Sequence, residues 1–325
     1  MPKSPPPKPA DANSAPRWLA GMRKSEVDGD HVKRPRGFYV NYDKFAAIYS
    51  ARGKKRLVVA FDNLSSVNDD SLARETWGDK FYSDNNYSSL GILSFDANWY
   101  RDEVLFDYLE GLCAQGFFKQ FKHVVFTGTS MGGYAACAFS GLAPGSTVIA
   151  YSPQSTLKKD LVPWEKRFNR GRRQDWSGRY QDAALHTGDA SKVYLCYDPY
   201  MEGDKRHADR FSGQNIVHLP SNYVGHKTVV FLRRAEVLKQ VTALCMENRM
   251  TPARFAALYR KRRLLPWYYF GLMDLALERG HRQLSDRIIR AAEAASGNVN
   301  LEKILRNRRK KFWEAQKDMP TGREK

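Results

Sequence analysis

From about residue 37 onward, short apolar or β-branched runs alternate with longer stretches in which apolar positions recur every three or four residues. This is the grammar of a sheet with crossover helices. The predicted strands are Gly37–Asn41, Lys55–Phe61, Leu90–Phe95, His123–Thr127, Thr147–Tyr151, Lys192–Tyr197 and Asn215–Leu219. Helices are predicted at Trp99–Gln115, Gly132–Ser140, Lys205–Phe211 and Lys227–Met246. Runs such as Leu57-Val58-Val59-Ala60-Phe61 and Val124-Val125-Phe126 are apolar at consecutive positions, as strands covered on both faces must be. The expected fold class is therefore α/β with a mostly parallel sheet.

After Met246 the pattern is helical only. Thr251-Pro252 supplies an N-cap followed by proline at the first helical position. Leu284, Ile288, Ala291, Ala292 and Ala295 form one apolar stripe, for which Trp267–Glu278 is the expected partner. The pair Tyr268–Ala295 looks like one unit of a tetratricopeptide-type array, but no second copy follows at a fixed period. Three regions result: a proline-rich tail at 1–36, an α/β body at 37–246, and a helical region at 247–325.

Charge sharpens that division. The 325 residues carry a formal net charge of +18, yet residues 57–245 hold 21 Lys+Arg against 21 Asp+Glu. The excess lies in 1–56 (13 against 5) and 246–325 (19 against 9). The chemistry of the neutral middle is thus read separately from the basic flanks. Cys113, Cys137, Cys196 and Cys245 make no C-x-x-C pair, which argues against a disulfide framework or zinc knuckle. The amino terminus has six prolines in its first sixteen residues and no apolar h-region, so a cytoplasmic location is expected. Residues 124–157 contain no charged side chain, but their glycines, serines and two prolines argue for buried core rather than a membrane span.

The uncharged stretch contains Gly128-Thr129-Ser130-Met131-Gly132, placed where an apolar strand runs into small residues. A serine in a sharp strand-to-helix turn needs glycine on either side, because a side chain there would collide with the neighbouring strand or helix. A serine hydroxyl also needs a base, and the base an orienting acid. His226 follows the strand ending at Leu219, and Asp198 follows the strand ending at Tyr197, giving the order Ser130, Asp198, His226. Asp204 is the alternative acid, although it also reads as the N-cap of the following helix. His207 and His218 read as structural. The candidate residues have no metal-ligand spacing, so no metal and no cofactor is expected.

At these residues the chain resembles the α/β-hydrolase superfamily, and its elbow is similar to those of bacterial esterases of the esterase D and S-formylglutathione hydrolase type. The resemblance spans about Gly37 to Met246. It implies Ser130 as nucleophile, His226 as general base and acid, and Asp198 as the group fixing the imidazole tautomer. It further implies an oxyanion hole from the backbone N–H of Met131 and one near Asn63 or Leu64, where Asp62-Asn63-Leu64 replaces the usual His-Gly.

A cap is expected at 157–186. Residues 153–184 hold eight basic and four acidic side chains, interleaved with aromatics. Trp164, Arg167 and Arg170 are candidate contacts for an anionic ester or thioester. The runs Tyr259–Arg263 and Arg306–Trp313 could give weak contact with a polyanion or membrane surface. No motif for sequence-specific nucleic-acid recognition accompanies them. The expected function is a serine esterase or thioesterase. The alternatives are an acyltransferase on the same fold, or a non-catalytic interaction protein that docks an acidic partner or anionic surface.

Overall fold

The computed structural model describes residues 37–67, 75–296 and 299–317, and the tail assigned to 1–36 lies outside them. Eight strands form one sheet: β1 (Gly37–Asn41), β2 (Phe45–Ser50), β3 (Arg56–Phe61), β4 (Ser88–Ser94), β5 (His123–Thr129), β6 (Thr147–Tyr151), β7 (Lys192–Tyr197) and β8 (Ile216–Pro220). Their order is β1-β2-β4-β3-β5-β6-β7-β8. The pairs β1–β2 and β2–β4 are antiparallel, and every other pair is parallel. Helices α1 (Asp79–Asp84), α2 (Glu103–Ala114), α3 (Met131–Ala138), α4 (Asn169–Arg172), α5 (Glu202–Ala208), α6 (Thr228–Arg234) and α7 (Leu238–Met246) connect and flank the strands. This is an α/β-hydrolase-like architecture: a mostly parallel sheet between helices, with further helices at the carboxyl end.

The consecutive apolar residues of the strands divide between the two faces, as the two-residue period requires. Leu57, Val59 and Phe61 pack with Phe126, Leu105 and Phe106 of α2, and Tyr134 of α3. Val58 and Ala60 pack on the other face with Ile149, Phe231 of α6 and Val241 of α7. The uncharged segment 124–157 folds as β5, α3 and β6, with all eight residues of α3 buried. No helix among the described residues is long and apolar enough to cross a membrane.

The structure departs from the sequence reading in several elements: α1 and α4 are additional helices, α5 begins earlier than Lys205, and two further departures have a plain physical reason. β2 was not anticipated, because Phe45-Ala-Ala-Ile48 carries two alanines, which are depleted in strands; here cross-strand pairing on both sides and burial of all four residues override that weak preference. The single helix expected at Lys227–Met246 is two helices. Glu236 adopts φ 56°, and Val237 N–H reaches back to Leu232 C=O at 3.0 Å, ending α6 in a left-handed cap.

The carboxyl region comprises α8 (Pro252–Tyr259), α9 (Pro266–Glu278), α10 (Arg282–Ser296) and α11 (Val299–Lys317). Thr251 caps α8 as expected, accepting from Arg254 N–H at 3.2 Å. Phe255 and Tyr259 of α8 lie in the same buried cluster as β3 and β6, so this helix shares the core of the body. Helices α9, α10 and α11 build their own cluster around Met273, Ile288 and Leu305. The buried line of α10 is Ser285, Ile288, Ile289 and Ala292, while Ala291 and Ala295, assigned to the stripe from spacing, are exposed.

Candidate active site

Ser130 joins β5 to α3 with φ 53° and ψ −116°, a conformation that side chains other than glycine rarely adopt. Its neighbours explain the glycines. A Cβ on Gly128 would lie 2.3 Å from Gly132 O, and one on Gly132 would lie 2.4 Å from Asp62 O and 2.5 Å from Phe61 O. Backbone, which cannot rotate aside, occupies both positions. Gly132→Ala is therefore expected to destabilise the fold by about 3 kcal/mol, the upper end of ordinary overpacking, read as an earlier midpoint in urea unfolding. A midpoint equal to that of the native chain would contradict this packing.

The elbow presents Ser130 to His226. Ser130 Oγ–H donates to His226 Nε2 at 2.8 Å, and His226 Nδ1–H meets Asp204 Oδ2 at 2.8 Å and Oδ1 at 2.9 Å. The carboxylate on the imidazole is Asp204 and not Asp198, the residue placed there from chain order. The reason is where α5 begins. Its N-cap is Met201, so Asp204 is the third helical residue rather than the cap, and its side chain turns toward His226. Asp198 faces the loop instead, accepting N–H bonds from Val224 (2.7 Å), Gly225 (2.8 Å) and Tyr200 (2.9 Å).

The two acids differ electrostatically. Burial pushes the Asp198 carboxyl above its ordinary range, and its backbone donors only partly offset that. Burial also acts on Asp204, but the bonds and charges of His226 and Arg167 outweigh it and hold that carboxyl below its usual range. An ionised acid against the imidazole is the state required to fix its tautomer.

The loop carrying His226 is gripped from outside as well. Tyr259 Oη–H of α8 donates to Asn222 O at 2.8 Å. Gly271 of α9 lies so close to Tyr223 that an added Cβ would be 2.3 Å from its carbonyl oxygen.

Of the remaining candidates, Met131 is the first residue of α3, whose amide has no partner within the helix. The tight contact of Gly132 with Asp62 sets the start of the Asp62-Asn63-Leu64 segment beside it. The Asn63 side chain is committed to its own turn, accepting from Ser65 N–H at 2.8 Å. The three candidate substrate contacts are engaged elsewhere. Trp164 packs on His207 (4.6 Å between ring centroids) with Arg206 over its face, Arg170 pairs with Asp96 at 2.7 Å, and Arg167 bonds Asp204 at 2.7 Å and Glu165.

Gln154 was not singled out from the sequence. Fully buried after β6, it donates from Nε2 toward Ser130 Oγ at 3.4 Å, while its Oε1 accepts from Trp99 Nε1–H at 2.9 Å. Phe168 was missed too; its ring lies 5.6 Å from that of His226. The available signal for Gln154 was position, since the carboxyl ends of parallel strands carry the sites of open α/β sheets.

No family model and no curated protein matches the chain. Solved structures do resemble it at low identity. An esterase of Pyrococcus furiosus is 14% identical over 69% of this chain and 96% of its own, with a TM-score of 0.46. Est1E from Butyrivibrio proteoclasticus is 14% identical over 65% of this chain and 99% of its own, at 0.42. The capsule O-acetyltransferase of Neisseria meningitidis serogroup A is 12% identical over 67% of this chain and 99% of its own, at 0.41.

Proposed function

We propose that the chain is a serine acyl-transfer enzyme that cleaves a carboxylic ester or thioester through an acyl-enzyme on Ser130. The observation that carries this reading is the continuous relay from Ser130 Oγ through His226 to Asp204, with both links at 2.8 Å. Ser130 Oγ attacks the acyl carbon as its proton passes to His226 Nε2. The resulting oxyanion is met by the Met131 N–H and by an N–H of the Asn63–Leu64 segment. The tetrahedral adduct collapses, the alcohol or thiol leaves with the proton from Nε2, and Ser130 stays acylated. His226 then deprotonates a water, or the hydroxyl of an acceptor, whose oxygen attacks the acyl carbon; the adduct collapses with cleavage of the acyl–Ser130 bond, and His226 Nε2–H returns the proton to Ser130 Oγ. Hydrolysis and acyl transfer share every step but the identity of this second nucleophile. All the proton-handling groups belong to the chain.

Arg167 and Arg170 are neutralised by carboxylates, so the substrate class rests on acyl chemistry and not on a negative charge in the substrate. Arg306, Arg308 and Arg309 of the basic carboxyl run are likewise paired with Glu302, Asp274 and Asp286. Any contact of that run with a polyanion or membrane surface is thereby weakened, and it forms no part of the reaction.

The test is covalent labelling of the folded, full-length chain by a fluorophosphonate, with the modified peptide located by mass spectrometry. A single adduct on Ser130 is the expected result. A folded chain that takes no label, or takes it elsewhere, would overturn the reading in favour of a non-catalytic interaction protein.

A further inference from the structure

The segment between β6 and β7 contains a buried polar cluster that the relay itself does not require. Glu165 and Asp204 are each 1% exposed and His207 is 0% exposed, and Arg167 bridges the two carboxylates. Arg167 donates from Nη1 to Asp204 Oδ1 at 2.7 Å. It also donates from Nη2, Nε and its backbone N–H to Glu165 at 2.6 to 3.1 Å. Ser155 N–H donates to His207 Nδ1 at 3.1 Å, which puts the ring proton on Nε2, from where it reaches Glu165 Oε2 at 3.2 Å. The guanidinium is thus held in a fixed fork from behind and presents one arm to the acid of the relay.

We propose that Arg167, braced by Glu165 and His207, is a positioning residue that fixes the Asp204 carboxylate against His226, so that the β6–β7 segment helps to build the general base. This rests on the reading of Ser130, His226 and Asp204 given above. Two carboxylates buried together repel unless a cation separates them, and Arg167 is that cation. With His226 neutral the cluster carries one net negative charge. When His226 takes the serine proton the cluster becomes neutral, which favours the step. Burial alone would push Glu165 up, yet its bonds to His207 and Arg167 bring its carboxyl down to about 2, so it stays ionised as the brace.

His226 is faced by Asp204 of α5, Ser130 of the elbow, and Phe168, with Arg167 behind Asp204. Asp198 lies under its loop, and Lys227 follows it in the chain. Removing one charge of each sign behind Asp204 must therefore move the His226 titration in opposite directions. In Arg167→Gln the imidazolium loses a repelling charge, which favours the protonated ring. In Glu165→Gln it loses an attracting charge, which favours the neutral ring. Arg167→Lys, which keeps the charge, stays nearest the native value.

The experiment is an NMR titration of the His226 ring in the full-length protein and these three variants, with assignment by His226→Gln and folding checked by circular dichroism. Where turnover is measurable, Arg167→Gln is expected to lower kcat by about 10- to 100-fold through misplacement of the base, with KM nearly unchanged. Shifts of the same sign in both charge-removing variants, or no shift, would overturn the proposal. So would a raised KM at constant kcat, which would make Arg167 a substrate contact. A native chain that neither turns over esters nor takes label defeats the reading of the reaction, while the titration still decides the role of Arg167.

Discussion

Replacing Ser130 by alanine is expected to lower kcat by about a millionfold, to the residue of catalysis that binding and oxyanion donors supply without a nucleophile. The same variant is expected to unfold at nearly the native midpoint. Alanine is no more strained than serine at φ 53°, and the elbow is held by backbone: Ser130 N–H donates to Tyr151 O at 2.8 Å, and Tyr134 N–H to Ser130 O at 3.0 Å. Parallel kinetics and thermal unfolding of the two proteins separate these effects. Retained turnover in Ser130→Ala would remove the acyl-enzyme from the mechanism.

The second large effect distinguishes the two aspartates. Asp204→Asn is expected to reduce kcat by about four orders of magnitude. Arg167 dictates how the new amide sits. Its Nη1–H needs an acceptor at the Oδ1 position, so the amide carbonyl stays there and the NH2 group takes the Oδ2 position facing His226 Nδ1. The NH2 group at 2.8 Å then competes with the carbonyl at 2.9 Å for His226 Nδ1, and whenever the imidazole accepts there its proton sits on Nε2, the nitrogen meant to receive the serine proton. Asp198→Asn leaves the imidazole untouched, because the asparagine carbonyl can still accept from Val224 and Gly225 and only the Tyr200 N–H loses its acceptor. It is expected to cost about 1 to 2 kcal/mol of stability and less than tenfold in kcat. Equal losses in the two variants would refute the assignment of Asp204 to the relay.

The difference between these acids marks the limit of what local sequence shows. Gly128, Ser130 and Gly132 were legible because their constraint is local: a strand, a sharp turn and a buried helix within a dozen residues. His226 was legible for a similar reason, as the polar residue opening a loop-to-helix junction after a strand. The acid depended on where α5 starts, and a start at Glu202 in place of Lys205 turns a cap into a side chain facing the site. The arginines failed differently. Arg167 meets Asp204 across 37 residues and Arg170 meets Asp96 across 74, so nothing in the interleaved basic and aromatic pattern shows that their charges are already matched. Gln154 reaches Ser130 only because β6 lies beside β5, a fact of sheet order and not of motif.

The outer grip on the His226 loop bears on the order in which the protein is made. Ser130, Asp198, Asp204 and His226 have all left the ribosome well before Tyr259 and Gly271, and at about 5 to 20 residues per second the interval is seconds long. During it the residues that make the Asp198 contacts are present, while the bond from Tyr259 and the backstop of α9 are not yet available to the loop. The face of the sheet that will receive Phe255, 1% exposed in the finished protein, is meanwhile open to water. The His226 loop therefore has its full set of contacts only once the helices that follow the sheet have been made.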